Sequence, residues 1–225
     1  KGLVDREVLR VVSPGTVIED SLLEQKANNY LASVVVDGEE AGLAYVDITT
    51  SEFATCQVPV GHLPVELSRL APSELLASEG QESIAMEGTT TVTTLTPDAF
   101  HLDWARRTLL DHFGVASLEA YGCQHLPLAI RAAGAILDYL SSNQKAALGQ
   151  IASLFTYTAS EFMVVDPQTR RNLELFQGGR SGAADKSLLS VLDRTETSMG
   201  GRLLRRWLGQ PLLDLHLLHQ RQESV

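Results

Sequence analysis

Four acidic residues in the first half of the chain have the residue type that metal-dependent chemistry requires. Asp47 and Glu52 stand on either side of a polar break between two strand-like runs, and Asp98 and Asp103 lie near the start of a predicted helix. If two or more of these carboxylates converged within a few ångströms, they could hold the metal ions with which a nuclease activates water. Their spacing does not identify a metal site. Residues 1–115 contain eighteen Asp and Glu, so some of them fall near strand or helix ends by chance. We therefore favour capping or solvated roles for them and keep a metal-dependent nuclease as an alternative.

The loop at residues 178–187 is rich in glycine and ends in a Lys-Ser pair, as a phosphate-binding loop does. Such a loop needs glycine directly before the lysine and again five residues earlier, because its backbone amides must wrap around the phosphates. Here Asp185 and Arg180 occupy those positions. A carboxylate beside a phosphate would repel it, so we predict no nucleotide site and interpret Asp185 as the N-cap of a helix through Leu192.

The histidines and cysteines do not form a recognisable site either. His216 and His219 share a helix face, but neither a glutamate base nor a third ligand accompanies them, so surface or packing roles are favoured. Cys56 and Cys123 lie 67 positions apart, which favours reduced core thiols over a disulfide framework or a zinc site. No Gly-x-Ser-x-Gly elbow occurs. The sequence therefore predicts no catalytic residue and no metal ligand.

The charge of the chain is acidic and unevenly distributed. Its net value of -10 argues against a simple nucleic-acid-binding module, which normally shows a basic balance or face. Residues 1–115 hold seven Lys and Arg against eighteen Asp and Glu, whereas residues 116–225 hold eleven against ten. No run of eighteen apolar residues exists, and the first twenty residues are rich in charge, which argues against a membrane span or a signal peptide. We expect two units of ordinary size in a cytoplasmic protein.

The first 115 residues predict an α/β domain. Residues 30–36, 42–48 and 52–58 are strand-like runs separated by polar breaks of hairpin length, which indicates an antiparallel meander. A helix is predicted at residues 103–113, with Asp103 as its N-cap and Gly114 as its end. Shorter elements complete the prediction, namely a helix capped by Asp20 through Asn28, helices at residues 64–70 and 72–78, and strands at residues 83–86 and 91–95.

Residues 116–225 predict an all-helical segment. Helical patterns cover residues 128–142, 166–176, 185–192 and 199–208, a further one follows residue 212, and residues 161–165 are a short extended link. The helix at residues 199–208 has one apolar side, formed by Met199, Leu203, Leu204, Trp207 and Leu208, and an opposite side that carries Arg202, Arg205 and Arg206. These arginines could contact phosphate, pair with acidic side chains of a neighbouring domain, or face solvent.

Two further features of this segment leave their interpretation open. Arg170 and Arg171 lie on the surface only if Leu173 and Phe176 mark the core. The last helical pattern reaches residue 225 without a closing cap, so we expect an interior piece of a longer chain.

Four segments of the chain have a distinctive sequence. They are residues 21–31, SLLEQKANNYL, residues 42–53, GLAYVDITTSEF, residues 166–175, DPQTRRNLEL, and residues 187–208, SLLSVLDRTETSMGGRLLRRWL. In this order they resemble the MutS family of DNA mismatch-recognition proteins. The first two segments are similar to the family's connector domain, and the last two are similar to the start of its core, or lever, domain. The resemblance covers nearly the whole chain. It assigns residues 1–115 to the connector and residues 116–225 to the N-terminal part of the core domain.

The resemblance implies a fold, a partner and the residues that meet it. The family's connector is ribonuclease-H-like without nuclease function, which weakens the nuclease alternative. It docks the MutL protein through a region that includes the helix corresponding to residues 103–113. The outward positions of that helix, which we predict as partner contacts, are Arg106, Arg107, Thr108 and Asp111. In the core domain, the residues predicted to brace it against neighbouring domains are Arg202, Arg205, Arg206 and Trp207.

The resemblance also implies what other parts of the family's chain do. Domains outside these segments read the mismatch, grip double-stranded DNA and hydrolyse ATP with Mg²⁺. This segment is therefore expected to bind no cofactor, to catalyse nothing by itself, and to relay DNA and nucleotide states to partner docking. It is expected to be monomeric, and the whole protein a dimer. A relative that acts in recombination could share the same segments, so that function stays open beside mismatch repair.

Overall fold

The structure is a computed structural model that describes residues 12–19, 24, 26–81, 90–179 and 182–224. The chain divides into two compact units. The first contains residues 29–60 and 72–157 together with the described residues before position 20. The second contains residues 61–71 and 158–224 together with the described residues between 24 and 28. The predicted N-cap Asp20 and the predicted strand at residues 83–86 lie outside the described residues.

The first unit is built on a mixed sheet. Its strands are β1 (Leu31–Asp37), β2 (Glu40–Asp47), β3 (Glu52–Pro59), β4 (Glu74–Ser78), β5 (Thr91–Leu95) and β6 (Phe155–Thr156). They lie in the order β5-β4-β1-β2-β3-β6, in which β1, β2 and β3 form the predicted antiparallel meander and the other pairs are parallel. This sheet confirms the α/β class. The ribonuclease-H-like fold stays a prediction.

Strand β4 lies where the sequence predicted a helix at residues 72–78, and that prediction is wrong. Leu75, Leu76 and Ala77 are all buried, and β4 lies inside the sheet between β1 and β5. A strand that is covered on both faces has no alternation of polar and apolar residues. A short apolar run of this kind cannot be distinguished from a buried helix by periodicity.

Two helices complete the core of the first unit. Helix α3 (Pro127–Asn143) lies against β1, β2 and β3, and α2 (Leu102–Phe113) packs against α3. Helix α3 is close to the sheet: a Cβ at Gly42 would lie 2.1 Å from the carbonyl oxygen of Leu128. The alanine-rich α3 is buried on nearly all sides, so it belongs with the sheet. The first unit consequently runs to Tyr157, beyond the boundary predicted between residues 115 and 116.

The region predicted to be all-helical differs from that prediction in one element. The two-residue strand β6 pairs with β3, matching Phe155 to Ala54 and Thr156 to Thr55. It follows the short helix α4 (Lys145–Leu148). A strand this short carries no alternation from which it could be predicted.

A buried carboxylate fastens Ser13 and Gly15 to the sheet. Glu74 is fully buried and accepts hydrogen bonds from the Gly15 amide at 3.0 Å, the Thr93 hydroxyl at 2.7 Å and the Tyr139 hydroxyl at 2.8 Å, as well as from the Ser13 hydroxyl. Burial raises the pKa of Tyr139, so its hydroxyl stays protonated and donates to Glu74. The donors compensate the loss of hydration that a buried carboxylate suffers.

The second unit is helical. It contains α1 (Leu63–Leu70), α5 (Pro167–Asn172), α6 (Leu188–Leu192), α7 (Ser198–Gly209) and α8 (Leu215–Glu223). An antiparallel bridge joins Phe162 to Leu212, so part of the predicted link at residues 161–165 is extended. In the part of the chain that the structure describes, no helix has the length and apolar character needed to cross a membrane.

Two predicted N-caps are wrong. Helix α6 is capped by Ser187, whose hydroxyl accepts from the Ser190 amide at 3.2 Å, whereas Asp185 lies in the 3₁₀ turn that precedes it. Helix α2 begins after His101, and Asp103 lies inside its first turn. Both predicted caps lie two positions from the actual ones, and Asp103 in the first turn of α2 still interacts favourably with the helix dipole. The predicted end of α2 at Gly114, which has a positive φ of 64°, is confirmed.

Candidate functional site

The residues predicted to meet a partner lie on one side of α2, and we call Arg106, Arg107, Thr108 and Asp111 the α2 surface. Arg107 and Asp111 are exposed, while Arg106 and Thr108 are half-buried. The opposite side of the helix is anchored by Ala105 and Leu109, which are completely buried. Arg107 is therefore not part of the core.

Helix α2 is held closely to its own unit. A Cβ at Gly134 of α3 would lie 2.4 Å from the Cβ of Ala105, so the two helices approach each other over a glycine. The Trp104 indole donates to Asp138 at 3.2 Å, and the His112 ring lies 2.8 Å from the carbonyl oxygen of Ile151. Contacts near both ends of α2 therefore fix the orientation in which the α2 surface is presented.

Helix α7 buries the side that carries Gly201 and Gly209, while its three arginines are half-buried or exposed. Apolar residues on one helix side normally favour burial of that side. In the structure, Met199 is 79% exposed and Leu203 is 45% exposed, whereas Gly201 and Gly209 are buried. A Cβ at Gly201 would lie 2.7 Å from the Lys26 side chain, and one at Gly209 would lie 3.4 Å from the Phe176 ring. The two glycines let α7 lie close to its own unit through the side that also carries Arg205.

The predicted bracing residues are all on α7, and Arg202, Arg205 and Trp207 contact groups of their own unit. The Arg202 Nε donates to the carbonyl oxygen of Ala27 at 3.3 Å, and the Arg205 guanidinium lies 5.0 Å from the centre of the Phe176 ring. The Trp207 ring is covered by Arg221 of α8 at 4.8 Å. Arg206 is exposed. Cation–π contacts of this kind stabilise by about 0.5–1 kcal/mol each at exposed sites.

Arg170 is the structural residue that sequence reasoning left undecided. It is 8% exposed, its Nε donates to the Val165 carbonyl at 3.0 Å, and its Nη2 donates to the Gly209 carbonyl at 2.8 Å. Burial lowers its pKa, and so does the nearby Arg69, while Glu66 acts in the opposite direction. Arg170 thus connects the start of α5 to the end of α7. Two adjacent arginines give no sequence signal that tells which one is buried.

A small cavity lies in the second unit beside this arginine. Its lining includes Arg69, Glu66 and Arg170, and its volume is about 50 Å³. A site for one water needs about 10–15 Å³ of such space, so this cavity has room for a few waters.

Two of the four carboxylates of the nuclease alternative serve local structure. The Asp47 carboxylate accepts from the amide and the hydroxyl of Thr49 at 2.9 and 2.6 Å, which closes the turn between β2 and β3. Glu52 accepts from the Tyr30 hydroxyl at 3.2 Å. Asp98 and Asp103 are exposed. Within the described ranges, no three or more His, Cys, Asp or Glu side chains are grouped so that they could hold a metal ion.

Comparison with known sequences places both units. The family model described as MutS domain II matches residues 29–152, and the one described as MutS domain III matches residues 168–225. The chain belongs to the MutS family. It is 45% identical over 226 residues to the DNA mismatch repair protein MutS of Dehalococcoides mccartyi, which covers 100% of the chain and 26% of the relative.

Other MutS relatives match in the same way. The DNA mismatch repair protein MutS of Synechococcus elongatus is 44% identical over 99% of the chain, and that of Thermosynechococcus vestitus is 44% identical over 100% of it. The chain spans only 27% and 28% of the length of these two proteins. The α2 surface lies within the MutS domain II match and the arginines of α7 lie within the domain III match.

Asp193 stabilises the connection between α6 and α7 in the domain III match. Its carboxylate accepts from the Thr195 hydroxyl at 2.6 Å and the Thr195 amide at 2.9 Å, and it pairs with the Lys26 ammonium at 3.1 Å. The hydrogen bonds from Thr195, followed by that from Lys26, lower the pKa of Asp193 to about 2. The ionised form of Asp193 is therefore favoured in the folded protein.

We expect Asp193→Asn to unfold at a lower temperature than the wild type at pH 6. A carboxyl whose folded pKa is depressed stabilises fully above its unfolded pKa, near 3.8, and loses that effect as the pH falls through its folded pKa, near 2. The difference between variant and wild type should therefore shrink steadily below about pH 4. Thermal unfolding followed by circular dichroism from pH 6 to pH 2.5 measures it. Asp185→Asn, at an exposed carboxylate, is the control, and a difference that did not change with pH would contradict the assignment.

Proposed function

We propose that this chain is the domain II and domain III segment of a DNA mismatch repair protein, and that it docks MutL on its α2 surface. The observation that carries the proposal is the match along the whole chain to proteins named DNA mismatch repair protein MutS. In the proposal, the domain II unit is ribonuclease-H-like and catalyses nothing. Mismatched double-stranded DNA, ATP and Mg²⁺ are bound by other parts of a dimeric, cytoplasmic protein, and the segment by itself is monomeric and binds no cofactor.

The α2 surface suits a protein partner for two reasons. Arg107 and Asp111 are exposed one helical turn apart, so they offer charges of both signs to a complementary surface. The helix behind them is fixed by the close contact between Gly134 and Ala105. A preorganised surface loses little conformational freedom when it binds, which favours affinity.

The relay part of the proposal concerns α7. Arg202, Arg205, Arg206 and Trp207 would brace domain III against the domains that surround it in the whole protein. Arg202 and Arg205 support this by fixing α7 to its own unit, through the Ala27 carbonyl and the Phe176 ring. A helix fixed in this way moves as one body with its unit, as a relay of rigid elements requires.

We expect Arg107→Glu and Asp111→Lys each to weaken MutL binding by about tenfold, which corresponds to about 1.4 kcal/mol. Charge reversal places like charges opposite each other in the complex, while both side chains are exposed and contribute little to folding. Surface plasmon resonance with immobilised MutL measures the Kd. Arg171→Glu, an equal change at an exposed position of α5, should leave the Kd unchanged. If both α2 variants bound MutL as the wild type does, the docking assignment would be wrong.

A further inference from the structure

One nitrogen of the buried Arg170 side chain has no hydrogen-bond acceptor in the described part of the chain. The Nε and Nη2 atoms donate to the carbonyl oxygens of Val165 and Gly209, whereas Nη1 is equally buried and has no partner among the described residues. Leaving a buried donor without an acceptor is costly, so native proteins provide a partner for nearly all of them. The unpaired Nη1 therefore indicates a position at which a bound ligand would accept a hydrogen bond.

The cavity of the second unit, which Arg170 helps to line, has room for such a ligand. Its volume of about 50 Å³ admits a few waters or one small ion. Gly209 lines the same cavity, and a Cβ on it would lie 3.8 Å from Nη1, so this nitrogen is close to the cavity wall at the end of α7. Met163 and Val164 also line it and are exposed, so an ion can reach the cavity from solvent.

The groups around this cavity carry an excess of positive charge. Arg69 and Arg170 contribute two guanidiniums, and Glu66 is the one carboxylate among the described lining residues. Glu66 pairs with Arg69 at 2.8 Å, and both side chains are 10% exposed. His62, the remaining ionisable residue of the lining, can add only positive charge. Buried charges normally have a counter-charge beside them, and one carboxylate does not balance two guanidiniums.

This excess favours an anion over a water molecule. A water could accept the hydrogen bond from Nη1, but it would leave the repulsion between Arg170 and Arg69 unchanged. Burial, followed by the charge of Arg69, lowers the pKa of Arg170. A negative ion would accept the same hydrogen bond and would also offset the repulsion, because opposite charges attract strongly where water is largely excluded.

We propose that the cavity binds a small monovalent inorganic anion such as chloride against Nη1 of Arg170. The ion would connect three parts of the second unit, namely α1 with Glu66 and Arg69, α5 with Arg170, and the end of α7 at Gly209. The stability of this unit would then depend on the concentration of the anion. The site goes beyond the proposed function and does not depend on MutL.

A chloride titration at constant ionic strength tests the site. Sodium chloride replaces sodium gluconate, so the screening of surface charges stays the same. Urea unfolding of the second unit is followed through Trp207 in a Trp104→Phe background. A ligand that binds only the folded form raises the ratio of folded to unfolded protein about tenfold at ten times its Kd, and we expect a saturating rise of this kind. An unfolding midpoint that did not change with chloride would overturn the proposal.

Gly209→Ala locates the effect without removing the arginine. The added methyl group would lie 3.8 Å from Nη1 of Arg170 and 3.4 Å from the Phe176 ring, which is ordinary van der Waals contact, so the variant should fold. Because the methyl group occupies space beside Nη1, the chloride effect should fall severalfold. Gly61→Ala is the matched control in the same unit, since a Cβ there would meet nothing within 4 Å among the described residues. An equal chloride effect in Gly209→Ala and the wild type would mean that chloride binds elsewhere, contrary to the proposal.

A crystal soaked in sodium bromide gives a direct readout, because bromide replaces chloride and scatters anomalously. We expect an anomalous peak within hydrogen-bonding distance of Nη1 of Arg170 in the wild type. A wild-type crystal without this peak would contradict the proposal, and an ordered water in its place would be the ligand of Nη1 instead. Because MutL binding is measured separately on the α2 variants, failure of one proposal leaves the other standing.

Discussion

Replacing Arg170 with methionine is expected to lower the free energy of unfolding of the second unit by about 2–4 kcal/mol. The methionine fills much of the volume of the arginine stem but donates no hydrogen bond, so the carbonyl groups of Val165 and Gly209 lose the donors that Arg170 supplies. A buried acceptor left without a partner costs about 1–3 kcal/mol. Part of that loss is offset, because the variant no longer buries a charged guanidinium. Burial of this charge costs free energy in the wild type, which is why burial lowers the pKa of Arg170.

The effect can be measured on the second unit alone, because each unit contains one tryptophan. Trp207 lies in α7 and Trp104 in α2, so urea unfolding in a Trp104→Phe background reports on the second unit through Trp207. Arg171→Met, at the exposed neighbouring arginine, should change stability by no more than about 0.5 kcal/mol. Arg170→Lys should be intermediate, since an ammonium does not reproduce the planar fork of the guanidinium. If Arg170→Met unfolded at the same urea concentration as the wild type, the connection between α5 and α7 would be unimportant for stability.

The parts of the fold that could be predicted are those in which a local pattern and its surroundings agree. The β1–β3 meander combines three strand-like runs with polar breaks of hairpin length, and its register keeps Leu31 opposite Val46 and Asp47 opposite Glu52. The end of α2 at Gly114 was equally predictable, because glycine adopts a positive φ without steric cost. At these positions, residues that are close together in the sequence determine the backbone conformation.

The parts that could not be predicted depend on neighbours that are distant in sequence. The direction of α7 is decided by Gly201 against Lys26 and by Arg205 over Phe176, and neither contact leaves a trace in the periodicity of the helix. The buried position of Arg170 depends on the carbonyl of Gly209, which lies 39 residues away along the chain. A helical wheel measures amphipathicity but does not say which side is covered inside its own unit.

The candidate site was predicted in part. Of the four positions predicted to face outward on α2, Arg107 and Asp111 are exposed, whereas Arg106 and Thr108 are half-buried. The N-cap was misplaced, because Asp103 lies two positions inside a helix that starts after His101. That these residues contact MutL stays a prediction, since a partner leaves no signal in exposure alone.

Gly134→Ala is expected to destabilise the first unit by about 2 kcal/mol and to displace α2. The new Cβ would lie 2.4 Å from the Cβ of Ala105 and 2.5 Å from its Cα, so the backbone of α2 must move outwards. Overpacking a core costs about 1–3 kcal/mol, and the better helix propensity of alanine recovers up to about 1 kcal/mol of this. The destabilisation from overpacking should exceed the gain in helix propensity, because the Ala105 Cα is a backbone atom and cannot move away by rotation of a side chain. Urea unfolding in a Trp207→Phe background, followed through Trp104, measures the change.

Two companion variants separate the steric effect from the intrinsic effect of replacing glycine. Gly149→Ala lies in ordinary helical backbone with its nearest neighbour 3.9 Å away, so it should be neutral or stabilise by about 0.5 kcal/mol. Combining Gly134→Ala with Ala105→Gly removes the 2.4 Å contact but leaves the one to the Ala105 Cα, so the rescue should be partial. Because the α2 surface is carried on the displaced helix, Gly134→Ala should also weaken MutL binding, and the double variant should recover part of it. Full stability of Gly134→Ala would instead mean that α2 and α3 adjust freely, and the α2 surface would then have no fixed orientation to present.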